Sequence, residues 1–254
     1  MSVRPKKQLG QHFLRDNNIA RKIVDSLQNK EVKAIMEIGP GMGVLTQFLV
    51  GQVIPFYAVE VDRGSVEYLN AAYPQLGDHL LAKDFLKLDL SDALPSPMAI
   101  IGNFPYNISS QIFFHVLQFR DRVPEVVGMV QKEVAERMAE KPGSKTYGIL
   151  SVLLQCYYNI EYLFTVNEQV FDPTPKVKSA VIRLTRNDVS SLGCDEKLFV
   201  RVVKATFNQR RKTIRNSIRG AYAGELPENR FLQLRPERLS VADFVELTKI
   251  VEAA

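Results

Sequence analysis

The chain has 254 residues, 46% of them hydrophobic and 24% charged, a composition that suits one α/β domain or such a domain with a small appendage. No apolar run approaches the roughly 18 residues of a membrane span, and no apolar segment follows the basic start Arg4-Pro5-Lys6-Lys7, so neither a membrane protein nor a secretory leader is expected. Two cysteines (Cys156, Cys194) and three scattered histidines (His12, His79, His115) argue against a disulfide scaffold and against a metal site, and they fit a reducing cytoplasm. The net charge of +5 is unevenly spread. Residues 1–15 carry +4 and residues 196–222 carry +7, which leaves −6 on the rest. Two basic segments on an acidic body point to a polyanionic partner.

In chain order, the apolar run 34–38 predicts a buried strand, and a helix is expected to start near Gly43 and run to Val50. A second strand over 56–61 is followed by a helix over 63–72, and a short third strand is expected at 79–82. Residues 98–102 read as a fourth strand and 109–119 as a helix; 125–130 read as a fifth strand with a helix behind it. This alternation predicts a Rossmann-like parallel sheet covered by helices. Two later strands are expected at 161–166 and 179–185. Residues 187–194 read as a linker, and only helical patterns follow. The expected domains are therefore 1–188, with a basic N-terminal arm, and 189–254, a small helical domain contacting RNA.

The turn after the first strand, Glu37-Ile38-Gly39-Pro40-Gly41-Met42-Gly43, brings glycines to the start of a helix, where backbone can approach a ligand closely. Dinucleotide enzymes need G-x-G-x-x-G, but position 44 is Val here, so the 39/41/43 spacing favours a methyltransferase loop. Glu60 ends the second strand, 21 residues past Gly39, where a carboxylate accepts ribose hydroxyls in either cofactor class. Asp84 follows the third strand and is suited to an adenine amino group, with Phe85 against the ring. Ligands of open parallel sheets bind beyond the strand C-termini, where these three elements converge.

The fourth strand runs into Asn103-Phe104-Pro105-Tyr106. An amino group on a purine is a poor nucleophile, because its lone pair is delocalised into the ring. The Asn103 carboxamide oxygen and a nearby backbone carbonyl held by Pro105 would accept both amino hydrogens and aim the lone pair at a methylsulfonium. Tyr106 would stack on the base once the base has left its own stack.

With these residues in view, the chain resembles the KsgA-type small-subunit ribosomal RNA adenine dimethyltransferase family. The blocks that carry the resemblance are QHFL from Gln11, EIGPGMGVLT from Glu37, Glu60, Asp84, NFPYN from Asn103, QKEVAERM from Gln131, FDPTPKVKSAVIRL from Phe171 and FNQRRKTIRNSI from Phe207. The resemblance implies a methyltransferase that uses S-adenosyl-L-methionine to dimethylate two adjacent adenosines near the 3′ end of small-subunit (16S) rRNA during ribosome biogenesis. It implies cofactor contacts from His12, Leu14, Gly39, Glu60, Asp84 and Asn103, a catalytic group of Asn103, Phe104, Pro105 and Tyr106, and Phe171 stacking on the adenine opposite Tyr106. Its implied partner is a small-subunit precursor, met by a cytoplasmic monomer. Position 12 is often Asn in that family and position 104 often Leu; here they are His12 and Phe104. A large-subunit adenine methylase of the macrolide-resistance kind shares the first half of the chain, and the FNQRRKTIRNSI block favours the small-subunit enzyme. An assembly factor that acts mainly by binding is a third reading.

If residues 199–222 form one helix, Arg201, Lys204, Lys212, Arg215 and Arg219 share an arc beside an apolar face of Phe207, Ile214 and Ile218; a break at Asn208 would undo this. Arg211, Lys212, Arg215 and Arg219 are the expected phosphate contacts.

Overall fold

The structure, a computed structural model, describes residues 3–28, 30–90 and 94–254. The chain divides into two compact units, one running through Ala135 and resuming over Ile160–Arg186, the other made of Glu136–Asn159 and Asn187–Ala254.

The first unit is built on a mostly parallel sheet. Its N-terminal arm includes the two-residue strand β1 (Phe13–Leu14), and α1 (Asn17–Val24) starts at Asp16, whose carboxylate accepts from the Asn18 and Ile19 amides. β2 (Ala34–Ile38) is buried at all five positions, as a strand covered on both faces must be. A glycine-rich turn leads into the short α2 (Thr46–Leu49). There follow β3 (Phe56–Val59), α3 (Arg63–Ala72), β4 (Leu80–Leu81), β5 (Met98–Asn103), α4 (Ser109–Gln118) and β6 (Glu125–Gln131). Further on come α5 (Lys132–Ala139), α6 (Ile149–Gln155), β7 (Tyr158–Val166), β8 (Phe171–Asp172) and β9 (Ser179–Arg186). The seven-stranded order is β4-β3-β2-β5-β6-β9-β7. β2 is parallel to β3 and β5, and β5 to β6, while β9 runs antiparallel to β6. Strand order reverses between β2 and β5, so the crevice for a ligand opens beyond their carboxyl ends, next to Gly39 and Asn103.

Some boundaries differ from the sequence expectation. The second strand stops at Val59, so Glu60 and Val61 lie beyond it, and the helix after the glycines begins at Thr46. The sequence reading missed the pairing of β1 with β8, in which Leu14 faces Phe171 and Phe13 faces Asp172. Strands of two residues are too short for any alternation to register.

In the second unit, α7 (Glu196–Asn208) and α9 (Val241–Ala253) pack together, with α8 (Ile214–Ser217) between them in sequence. Phe207 meets Phe244 at 5.8 Å between ring centres and Tyr147 at 6.1 Å. The unit also claims residues 136–159, which the expected division at 188 left in the first domain. The reason is α6: Leu150, Val152, Leu153 and Leu154 are buried, and this helix packs on α7 and α9. Residues 199–222 are not one helix. α7 ends at Asn208, residues 209–213 turn, and α8 runs on into a single 3₁₀ turn over Ile218–Gly220. Arg210, Arg211 and Lys212 follow the break; there Arg210 donates to the Ser144 carbonyl at 3.0 Å and lies 3.9 Å from the Glu237 carboxylate.

Two glycines fix the peptide at the end of β5. Gly102 and Gly128 are direct partners across β5 and β6, and both face the ring of Phe104. A Cβ on Gly128 would lie 2.5 Å from that ring, and one on Gly102 would lie 2.8 Å from it. Phe104 is 1% exposed and packs edge-on against Phe113. Gly128→Ala should therefore destabilise the protein by about 1–3 kcal/mol through overpacking. Phe104→Leu in that background should recover part of the loss. Urea unfolding of the two variants checks this, and additive destabilisation would contradict it.

Candidate active site

At the carboxyl ends of β2, β3 and β5 the chain forms a cleft. His12, Gly39, Glu60, Asp84, Asn103, Phe104, Pro105 and Tyr106 all line it, together with Phe13, Val61 and Phe85. Eight of the expected site residues are thus brought together.

The glycine loop shapes one wall. Gly39, Gly41 and Gly43 have φ of 66°, 57° and 78°, the left-handed region that side chains disfavour. A Cβ on Gly41 would also sit 2.8 Å from the Phe13 ring. Glu60, 4% exposed, accepts from the Gly41 amide at 3.1 Å through Oε2 and from the Val61 and Asp62 amides at 2.8 Å through Oε1. Burial pushes its carboxyl above the ordinary range, against the pull of those three N–H groups. Three of about four lone-pair directions are used, so the spare acceptor capacity lies on Oε2. That is where ribose hydroxyls can be accepted. Val61 is 59% exposed beside it, an apolar surface that a ligand ring would cover. The neighbouring Asp62 accepts from Lys6 of the N-terminal arm and from Ser65. Burial raises the Asp62 carboxyl, but the Lys6 and Ser65 bonds outweigh it and leave the pKa lowered. Asp84 accepts from the Leu86 amide at 3.0 Å through Oδ1, and its Oδ2 is 3.9 Å from Lys87 Nζ. Phe85 reaches the cleft although it is only 4% exposed. Glycines at the turn, a carboxylate with spare capacity at the second strand, an exposed valine and a second carboxylate at the third together fit an adenosyl group.

Asn103 donates from Nδ2 to the carbonyl of His12 at 2.8 Å. A carbonyl can only accept, so the amide oxygen must face the other way. Among the described residues neither Asn103 Oδ1 nor the Phe104 carbonyl receives a hydrogen bond. Tyr106 shares a hydrogen bond with Ser179, and its ring is stacked by His12, with centres 5.2 Å apart and planes 28° apart.

Two expected site residues are not in the cleft. Leu14 is 4% exposed, packs in the core, and borders a small void of about 30 Å³ with Glu37, Gly39 and Asn103. Phe171 is 3% exposed and belongs to the same core, so its ring does not face Tyr106 across the cleft. The β1–β8 pairing draws both inward. Phe13, Val61 and Lys6 were missed: β1 is too short for alternation to mark residue 13 as outward, and the other two depend on the turn after β3 and on the contact of the arm with Asp62. Arg211, Lys212, Arg215 and Arg219 are exposed in the second unit, and Arg215 pairs with Glu228.

The comparison with known proteins bears on all of this. The model of the ribosomal RNA adenine dimethylase family matches residues 3–251. This chain belongs to that family. It is an enzyme that methylates adenines of ribosomal RNA, with S-adenosylmethionine as the methyl donor. Relatives called ribosomal RNA small subunit methyltransferase A include one from Parabacteroides distasonis, 58% identical, covering 98% of this chain and 94% of that one. Another from Bacteroides thetaiotaomicron is 57% identical over 99% and 96%. A dimethyladenosine transferase from Plasmodium falciparum shares the fold with a TM-score of 0.78 at 23% identity, over 93% of this chain and 96% of that one. The 23S rRNA methyltransferase ErmE does so with a TM-score of 0.67, also at 23% identity, over 93% and 99%.

Under the glycine loop of this dimethylase, Glu37 is 1% exposed and accepts from the Thr46 hydroxyl at 2.6 Å. Burial pushes its pKa up to about 8, with the Thr46 bond opposing and Glu60 adding to the rise. The folded carboxyl thus holds its proton where the unfolded one, near 4.5, has lost it. Folding stability should fall as pH rises between those two values, by up to about 1.4 kcal/mol per pH unit, and level off above. Glu37→Gln keeps an acceptor for Thr46 and should remove this slope. Denaturant unfolding of both proteins across the interval checks it: equal slopes would mean Glu37 is ionised in the fold.

Proposed function

We propose that the chain dimethylates two adjacent adenosines near the 3′ end of small-subunit rRNA, acting as a cytoplasmic monomer on a small-subunit precursor. The observation that carries the chemistry is the orientation of Asn103, whose donor end is committed to His12 and whose acceptor end receives no hydrogen bond among the described residues. The choice of subunit is supported by relatives named for the small subunit at 57–58% identity over nearly the whole chain. The fold likeness to the 23S enzyme is 23% identical and does not weigh against it. No helix among the described residues is long and apolar enough to cross a membrane, which is compatible with the cytoplasm.

In this reading Glu60 Oε2 takes a ribose hydroxyl, Asp84 Oδ2 the adenine amino group of the cofactor, and the glycine loop admits the rest. The bound cofactor supplies an electrophilic methyl group. Asn103 Oδ1 and the Phe104 carbonyl accept the two hydrogens of the target amino group and turn its lone pair out of conjugation. Phe104 is held by Gly102, Gly128 and Phe113, so the carbonyl is preorganised. Tyr106 stacks on the base, and its Ser179 bond fixes the ring. Each transfer replaces one amino hydrogen, which leaves to solvent as a proton; after the first, one hydrogen remains, and either acceptor can hold it for the second. The exposed Arg211, Lys212 and Arg219 contact phosphates, and Arg215 contributes less because Glu228 already neutralises it.

Asn103→Ala should slow single-turnover methylation of small subunits lacking dimethyladenosine by about 10²–10³, the usual worth of an oriented amide at developing charge, with RNA binding little changed. A wild-type rate would remove Asn103 from the chemistry. For the basic segment, Lys212→Gln and Arg219→Gln should each lower the slope of log affinity against log salt by about 0.7–0.9, and Arg215→Gln by less. A salt titration of binding to the same subunits decides this; unchanged slopes would move the RNA contact elsewhere.

A further inference from the structure

We propose that the His12 ring is a place-holder for the target base, covering the stacking face of Tyr106 until the adenine displaces it. The inference rests on the reading of Tyr106 as the base-stacking residue. Three observations carry it. First, the ring that stacks on Tyr106 belongs to His12, at 5.2 Å and 28°, while Phe171, the other aromatic expected there, is buried in the core. Second, the backbone and the side chain of His12 are held separately. Its carbonyl is fixed by Asn103 Nδ2 at 2.8 Å, whereas the half-buried ring is tied through Nδ1–H to the Pro173 carbonyl at 2.6 Å. Rotation about the side-chain bonds can therefore free Tyr106 without disturbing Asn103.

Third, there is somewhere for the ring to go and for a nucleotide to come from. Beside the cofactor cleft lies a second cavity of about 410 Å³, which also includes Lys7, Thr174 and Lys176 in its lining. The two share Gly10, Gln11, His12 and Tyr106, so the stacked pair stands in the partition between them. A base arriving past Lys7 and Lys176, with its phosphates near those cations, meets His12 before it reaches Asn103. Adenine presents a larger flat face to Tyr106 than imidazole does, so the exchange favours the base. Its cost is the loss of the existing ring pair and of the Nδ1–H bond to the Pro173 carbonyl.

Removing the ring should make the base easier to seat. In steady-state methylation of small subunits lacking dimethyladenosine, at saturating S-adenosylmethionine, His12→Ala should lower KM for the subunit by about 2- to 10-fold, the equivalent of one aromatic pair. His12→Asn, which also lacks the ring but keeps an amide for Pro173, should shift KM the same way and guards against misfolding of the Ala variant. His12→Phe retains a ring and should stay near wild type. A KM in both ring-less variants equal to or above wild type overturns the place-holder. So does a loss confined to kcat with rescue by Phe, which would make the ring a permanent part of the platform. If instead the wild type does not methylate these subunits, or Tyr106→Ala leaves KM unmoved, it is the underlying reading of the site that fails.

Discussion

The hydrogen bond from Asn103 Nδ2 to the His12 carbonyl sets the polarity of the site. A carboxamide has a donor end and an acceptor end, and whichever partner claims one end decides what the other can bind. Here a carbonyl of the N-terminal arm claims the donor end, and the acceptor end is left for a ligand. Under the proposed function the arm is thus part of the catalytic geometry through its backbone. It is held by the β1–β8 pairing, by the buried Leu14, and by ion pairs from Lys6 to Asp62 and Arg15 to Asp172. The Arg15 pair is largely exposed, so it contributes little; the strand pairing and the burial of Leu14 hold the arm.

The second requirement is a rigid peptide after Asn103. A phenylalanine at 104 needs more room than a leucine would, and Gly102 and Gly128 provide it on paired strands. The side chain that departs from the family habit is therefore directed into the sheet, away from the chemistry. Under the proposed function its carbonyl is what meets the target amino group, and the packing of the ring holds the peptide that carries it.

The sheet and the cleft were legible in the sequence for physical reasons. The strand at 34–38 is apolar but for Glu37 because both faces are covered; Gly39, Glu60 and Asp84 each follow a strand and Asn103 ends one, where topology makes strand ends converge. What was not legible depended on contacts between distant segments. The inward position of Phe171 comes from pairing with Leu14, and the membership of α6 in the second unit comes from packing on α7 and α9. The break at Asn208 was visible as a possibility, since asparagine is a poor helix interior residue, but local preference alone could not decide it. The partial saturation of Glu60 by backbone amides is invisible without coordinates.

The closure of the arm on β8 has a bearing on biosynthesis. The segment that completes the site at its amino end bonds to residues near 172: Phe13 pairs with Asp172, and His12 Nδ1 reaches the Pro173 carbonyl 161 positions away. Contacts of such long sequence separation form only after the intervening chain exists. A ribosome making this protein must release the chain through about residue 173 before the arm has anything to close on. The nascent enzyme, tethered to a ribosome of its own, is thus without a completed site until that distant segment has emerged.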